Sequence, residues 1–377
     1  MSRANRPSRT SRPGRTRGEP EGSRGPRGAD RRPGVAAYPW RVQVPRPSLG
    51  QIRGLAVASV VANLAIVVTG GAVRLTGSGL GCPTWPRCTE TSFVSHPELG
   101  LHGAIEFGNR LLTFALAIVV GLTWLAAMRY LPRRRDLRWL SGILLLGIPA
   151  QAVMGGITVL THLNPWVVGA HFMVSPALVA VAVVLARRTR EPGGPMVATV
   201  PRPVRGLAYG LFATAVAVLY LGTVVTGSGP HAGDLKARRN GLDPAAVSQV
   251  HADVVFLLIG LTVGMLAAVW ATGAPARARR AALALLLVEV GQGAVGFVQY
   301  FTGLPAALVG VHVGGAALTL AVATWVLVGT REPAATADEP AGTRDAAETS
   351  ARRSRVGPTV RSRALTVRGI TPAGRRA

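Results

Sequence analysis

Apolar residues run along this chain in eight blocks, each close to the length that crosses a lipid bilayer. The blocks lie near Gly54–Arg74, Ala104–Arg129, Arg138–Leu160, Trp166–Arg187, Arg205–Thr226, Val247–Ala271, Arg279–Tyr300 and Ala306–Gly329. A hydrocarbon core of about 30 Å takes about 20 helical residues to cross. The blocks are apolar almost all round, so no one-sided stripe stands out, as expected of helices immersed in lipid. The pattern predicts eight transmembrane helices.

Basic residues alternate between the connections. Arg129–Arg138 carries five Arg, Arg187–Arg205 five and Ala271–Arg280 three. The opposite connections hold only Arg87, Lys236, Arg238 and Arg239. Thirteen against four predicts a multi-pass protein of the cell membrane with both termini and the Arg-rich loops cytoplasmic. Composition fits this picture. The 377 residues are 49% hydrophobic and 16% charged, with mean hydropathy +0.33, because charge is segregated from the apolar blocks. Met1–Pro47 holds twelve Arg against three acidic residues, and Arg331–Ala377 is rich in Arg, Ala and Thr. Both tails are expected to be disordered, having too little apolar surface to offset ordering entropy. The net charge of +25 does not signal nucleic acid, since no basic motif interleaved with aromatics accompanies it. About fifty residues precede the first apolar block, unlike a cleaved secretory signal.

The chain also repeats itself. "VVTG" at Val67–Gly70 recurs at Val224–Gly227, each time leading into "GSG". "QAVMGGITVLTHLNPWVVGAH" (Gln151–His171) matches "QGAVGFVQYFTGLPAALVGVH" (Gln292–His312) without gaps, sharing Gly155/Gly296, Thr161/Thr302 and Gly169/Gly310. Blocks one to four and five to eight therefore read as two copies with the same orientation. This predicts an all-α membrane protein, two tandem four-helix bundles related by a pseudo-twofold axis along the membrane normal.

Of seven histidines, His171, His251 and His312 fall inside blocks, four to six residues from the outer end. That is about 6–9 Å below one surface. An ionisable residue inside a span is a functional candidate by default. His251 and His312 come from the second and fourth helices of the second copy. Two imidazoles facing across a bundle make a bis-His haem site, with small residues (Ala252, Gly310, Gly314, Gly315) leaving room for a flat ring. Overlaying the copies puts His171 on His312 and brings His251 near Asn109. The first copy thus has one axial ligand and an amide opposite it. Glu106 lies one turn before Asn109 and is a candidate acid/base or proton-handling group. The alternative for Glu106 is an ion pair with Arg110 at i, i+4. His102, just outside the span, is an alternative ligand. Glu289, near the middle of a block, reads either as a proton-pathway residue or as a hydrogen-bonded core carboxyl.

Cys82 and Cys88 are the only cysteines, on the first outer connection with Pro83 and Pro86 between them. A disulfide fits an oxidising compartment, as a loop staple or as a redox-active pair. Two cysteines alone do not supply the four ligands of a structural zinc.

"TGGAVRLTGSGLGCPTWPRC" (Thr69–Cys88) resembles the signature of the haem A synthase family, and "IEFGNRLLT" (Ile105–Thr113) resembles its Glu-x-x-His-Arg stretch. The likeness covers about Gly54–Gly329. It implies oxidation of the C8 methyl of haem O to a formyl group with oxygen from water, for cytochrome c oxidase biogenesis. It assigns His251 and His312 to a haem b cofactor, and His171 and Glu106 to the substrate haem (haem O, becoming haem A). It implies a Cys82–Cys88 disulfide. Arg74 and Arg110 would lie at the height of the haem propionates, with interface snorkelling as the alternative for Arg74. Asn109 departs from the pattern, which has His there. The resemblance divides the chain into a tail (1–48), a substrate-haem half (49–190), a linker (191–204), a haem b half (205–330) and a second tail (331–377). Implied partners are membrane lipid, an electron acceptor of unknown identity and, as a candidate, a haem O synthase; nucleic acid is not among them. Competing readings are a bis-His b-type cytochrome that only carries electrons and a transporter built on a parallel repeat.

Overall fold

The computed structural model describes residues 46–334, and each apolar block is an α-helix there. The helices are α1 (Leu49–Leu75), α2 (Gly100–Arg129), α3 (Arg135–Leu160), α4 (Pro165–Arg188), α5 (Arg202–Ser228), α6 (Pro244–Ala271), α7 (Ala276–Phe301) and α8 (Ala306–Gly329). All eight are long and apolar enough to cross a membrane, so the chain is an all-α, multi-pass membrane protein. The predicted tails up to Pro45 and beyond Ala334 lie outside the described residues.

Several helices begin a few residues before their apolar block, because capping chemistry rather than hydropathy sets their ends. Ser48 caps α1 in a capping box with Gln51. Asn164 accepts from the Trp166 N–H ahead of α4, and Asp243 from the Ala246 N–H ahead of α6. Pro165 and Pro244 occupy first-turn positions where no N–H is needed.

α1 packs on α2 and α4, and α3 packs on α2 and α4. α5 packs on α6 and α8, and α7 packs on α6 and α8. Each run of four helices thus closes on itself. The two runs meet where α8 touches α1 and α4, and where α4 touches α5. Small residues allow these approaches. A Cβ on Gly71 would meet Val313 Cγ1 at 3.2 Å, one on Gly310 would meet Leu75 Cδ1 at 3.2 Å, and one on Gly169 would meet Thr223 Oγ1 at 3.1 Å.

The repeat is visible in the backbone. At the α3–α4 turn the Thr161 N–H donates to the Ile157 carbonyl (2.9 Å) and the Leu163 N–H to the Thr158 carbonyl (2.8 Å). At the α7–α8 turn the Thr302 N–H donates to Val298 (3.0 Å) and the Leu304 N–H to Gln299 (2.7 Å), at matching positions. Leu163 and Leu304 both adopt left-handed backbone, φ 57° and 60°. A non-glycine residue there costs on the order of 1–2 kcal/mol, so the same uncommon turn in both copies marks a shared design.

The tightly buried apolar clusters sit at the Arg-rich end of each run of four. One is built on Leu211, Leu258, Met265 and Leu285, the other on Ile52, Leu116, Leu144 and Leu185. Toward the other end this packing opens. The first fully buried residue of α6 is Leu258 and of α8 is Ala317, and the last of α7 is Glu289. His251 and His312 therefore stand in the open part of the interior.

At the Arg-rich end, Arg134 and Arg188 clamp Asp136 (2.7 and 2.9 Å), and Glu191 pairs with Arg187 (2.6 Å). The linker strand β1 (Met196–Ala198) pairs antiparallel with β2 (Arg331–Pro333). The opening residues of the segment after α8 are thus a strand, tied further by the Arg277–Glu332 ion pair. Hydropathy carries no signal for a three-residue ribbon of this kind.

Candidate functional site

In the second run of helices His251 and His312 face each other, ring centroids 6.4 Å apart and planes inclined by 76°. They stand seven and six residues into α6 and α8, about 9–11 Å along the helix. Nδ1 of each is buried without a hydrogen-bond partner. Glycines on the facing helices make room for the rings. A Cβ on Gly222 of α5 would meet His251 Cε1 at 3.4 Å, and one on Gly296 of α7 would meet His312 Cε1 at 3.5 Å. Gln292 of α7 donates to the His312 backbone carbonyl (2.8 Å), and a Cβ on Gly315 would overlap that amide.

The first run repeats this on one side. Gly155 of α3 faces His171 of α4, and a Cβ there would meet His171 Cε1 at 3.4 Å. With its amide nitrogen turned toward α4, Gln151 lies 3.3 Å from the His171 carbonyl and 3.1 Å from its Nδ1, and its oxygen accepts from the Ser175 N–H (3.1 Å). In both copies the glutamine thus lies against the backbone carbonyl of the histidine, and in the first copy it reaches the ring nitrogen as well. Asn109 of α2, near which the repeat places the counterpart of His251, has its Oδ1 buried and unpartnered. His102 lies apart: it is exposed, and its Nδ1 is hydrogen-bonded with Ser78 Oγ (3.0 Å).

Glu106 is buried, and both of its oxygens are engaged. Oε2 accepts from the Cys82 N–H (2.8 Å) and Oε1 from Arg110 (2.6 Å). Arg110 also donates to the carbonyls of Thr84 (3.1 Å) and Arg87 (3.2 Å). The pair at i, i+4 thus grips the cysteine loop. Cys82 and Cys88 are joined in a disulfide and are fully buried. Trp85 at the loop's crown lies against Gly156 of α3, where any Cβ would overlap the indole. Gly156 follows directly on Gly155, the residue that faces His171, so loop and imidazole seat on adjacent residues of one helix.

Arg74, at the end of α1, reaches across to the loop after α5. It donates to the carbonyls of His231 (2.7 Å) and Thr226 (3.1 Å), and the Gly79 N–H donates to the Gly233 carbonyl (2.9 Å). His231 Nε2 is in turn hydrogen-bonded with the carbonyl of Leu304, the left-handed turn residue after α7. The loops of both copies form one connected surface over the histidine-bearing end. The sequence marked Arg74, Arg110, Glu106 and the cysteines singly. It did not reveal the roles of Trp85, Gln151 and Gln292; for the two glutamines the signal was the gapless Gln-to-His match.

This packing makes one glycine indispensable. A Cβ on Gly81 would overlap the backbone of His102 and Gly103, which cannot rotate aside as a side chain can. Gly81→Ala is expected to destabilise the protein by about 1–3 kcal/mol, read as a lowered unfolding midpoint of the purified protein in detergent. Gly54→Ala, with nothing within 4 Å, should leave the midpoint in place.

Residues 53–233 match the family described as cytochrome oxidase assembly protein. Over that span the chain is similar to the family. It is 30% identical over 145 residues to the heme A synthase of Geobacillus thermodenitrificans, covering 38% of this chain and 45% of that one. It is 31% identical over 129 residues to the heme A synthase of Geobacillus kaustophilus, covering 33% and 40%. The heme A synthase of Bacillus mycoides gives 31% over 125 residues, covering 33% and 40%. The chain thus spans under half the length of these relatives in each alignment. The family match takes in the cysteine loop, Glu106, Asn109 and His171, and stops short of α6 and α8. The family reading of the second run of helices therefore leans on the internal repeat and on the histidine geometry.

Proposed function

We propose that this protein is a haem A synthase, oxidising the C8 methyl of haem O to a formyl group with oxygen from water. In the balanced reaction one methyl and one water give one formyl, four protons and four electrons, so an acceptor outside the chain must take the electrons. The observation that carries the proposal is the His251–His312 pair. Their ring centroids lie 6.4 Å apart and both Nδ1 atoms are buried without partners, an arrangement in which both imidazoles could hold one haem. Two imidazoles do not hold a bare ion, and no cluster of three or more His, Cys, Asp or Glu able to do so occurs among the described residues. A porphyrin supplies the four remaining nitrogens, which makes haem the group these residues fit.

On this reading His251 and His312 hold a haem b, which when bound supplies reversible one-electron transfer. The substrate haem is held by His171, oriented by Gln151, in the half formed by α1–α4. Asn109, near the position that the repeat matches to His251, would offer the substrate haem an amide in place of an imidazole. Arg74 and Arg110 each retain N–H donors beyond those spent on carbonyls and Glu106, and these can meet propionate carboxylates at the loop end. Glu106 handles protons at a carboxylate whose position is fixed by Cys82 and Arg110. The disulfide holds the loop that carries these contacts. The basic-residue count, thirteen against four, supports cytoplasmic termini and an outward-facing cysteine loop.

Pigment analysis tests the proposal. The purified protein is expected to carry low-spin b-type haem, and supply of haem O in the host is expected to yield haem A with its shifted absorbance. Haem b unaffected by haem O supply would instead mean an electron carrier, and purification without haem would remove the proposal altogether.

A further inference from the structure

One buried acid has no part in the proposed mechanism. Glu289 of α7 is 3% exposed. Its Oε1 accepts from Thr262 Oγ1 of α6 (2.9 Å), and its Oε2 is buried with no hydrogen-bond partner. A buried polar atom without a partner calls for a reason. An ionised carboxylate would have no counter-charge here, whereas a neutral acid can donate its proton to the Thr262 hydroxyl oxygen.

Its place in the fold is specific. The inner face of α7 runs Ala278, Ala282, Leu285 and Glu289, and continues one turn later to Gln292, which holds the His312 carbonyl, and Gly296, which faces the His312 ring. The buried residues Leu258 and Thr262 of α6 follow His251 at seven and eleven residues, on one helical face. The Glu289–Thr262 pair thus lies beneath the two imidazoles, about 5 Å along α7 from Gln292 and at the top of the tightly packed cluster.

The surroundings hold no other charge. α7 packs on α6 and α8. The titratable residues of α6 are His251 and the exposed Asp253, which is bonded to Gln249, and the only one in α8 is His312. On α7 itself Arg277, Arg279 and Arg280 lie nine or more residues away at the Arg-rich end, and Tyr300 at the opposite end is exposed.

We propose that Glu289 is a redox-linked proton-holding residue: it takes up one proton when an electron enters the haem gripped by His251 and His312, and releases it when the electron leaves. The inference rests on the haem b reading. Were a haem held there to take up one electron, one proton drawn from solvent would convert the Glu289 carboxylate to the acid and return to solvent on reoxidation, so the charge of the low-dielectric core would be unchanged through the cycle. An uncompensated electron there would be opposed by the lack of any solvent dipole to screen it. In the proposed reaction the electron comes from the haem substrate and goes on to the external carrier. Glu289 is then a positioning residue for charge and does not touch the substrate.

The test is spectroelectrochemical titration of the b-type absorbance at several pH values in the intact protein. The wild type is expected to shift its midpoint by about 59 mV for each tenfold change in proton activity, the value for one proton per electron. Glu289→Gln keeps the shape and an oxygen for Thr262, and is expected to lose that dependence. A redox-difference infrared spectrum should show a carboxylic acid C=O band growing on reduction of the wild type. Thr262→Val should move that band by removing its hydrogen bond, which assigns it even if Glu289→Gln folds poorly. Equal pH dependence in wild type and Glu289→Gln, a pH-independent wild type, or a band unmoved by Thr262→Val would each overturn the inference while leaving the haem b reading intact. A preparation with no low-spin haem signal would overturn both.

Discussion

Replacing His251 or His312 with alanine is expected to abolish the low-spin b-type absorbance of the purified protein. On the proposed reading each imidazole is one of two protein ligands to a haem iron, and no other histidine stands within α5–α8 to replace it. Loss of a mere outer partner of a metal ligand costs about 10–100-fold in affinity, and loss of a ligand itself should exceed that. The fold should survive, because the buried cluster on Leu211, Leu258, Met265 and Leu285 lies at the other end of the bundle. Absorbance and pyridine haemochrome content measure the haem, and far-ultraviolet circular dichroism measures the helices. His171→Ala is the control. It removes the histidine proposed to hold the substrate haem and should leave the b-type signal in place while ending haem A formation. Retention of the full signal in either His251→Ala or His312→Ala would refute the bis-His site.

The second large effect concerns Glu106. Glu106→Ala is expected to stop haem A formation while the b-type haem remains bound, read as extracted haem A against haem b. Two physical effects contribute, and they are separable. The substitution removes the acceptor of the Cys82 N–H and the ion partner of Arg110, at about 1.5–3 kcal/mol for each charge-assisted hydrogen bond. It also removes a group able to hold a proton. Glu106→Gln keeps an oxygen for Cys82 and a shape for the loop but cannot titrate. If Glu106 handles protons, Glu106→Gln is as inactive as Glu106→Ala although its unfolding midpoint is near that of the wild type. If Glu106→Gln is fully active, the residue serves only to hold the cysteine loop.

Much of this protein was legible before any coordinates. Hydropathy alone located the eight helices, because a span must be apolar over its full length and few other structures require that. Helix ends were missed by up to five residues, as at Leu49, since a cap such as Ser48 is polar and lies outside the apolar block. The repeat was legible because Gln151–His171 and Gln292–His312 match without a gap, and the two turns share the same hydrogen bonds and left-handed leucines. The β1–β2 ribbon and the Arg74 bridge to His231 were not legible, since neither a short strand nor the aim of one guanidinium leaves a periodic trace.

What the amino-acid order determined by itself is the set of spans, the pairing of copies and the kinds of side chain that can meet iron, all of which follow from local composition and spacing. Tertiary structure alone decided which of those side chains meet. It brought the rings of His251 and His312 to 6.4 Å, turned Glu106 and Arg110 onto the cysteine loop, and left one oxygen of Glu289 unpartnered in the core. Distances between helices depend on how glycines and bulky residues interlock across the whole bundle, and no single stretch of chain contains that information.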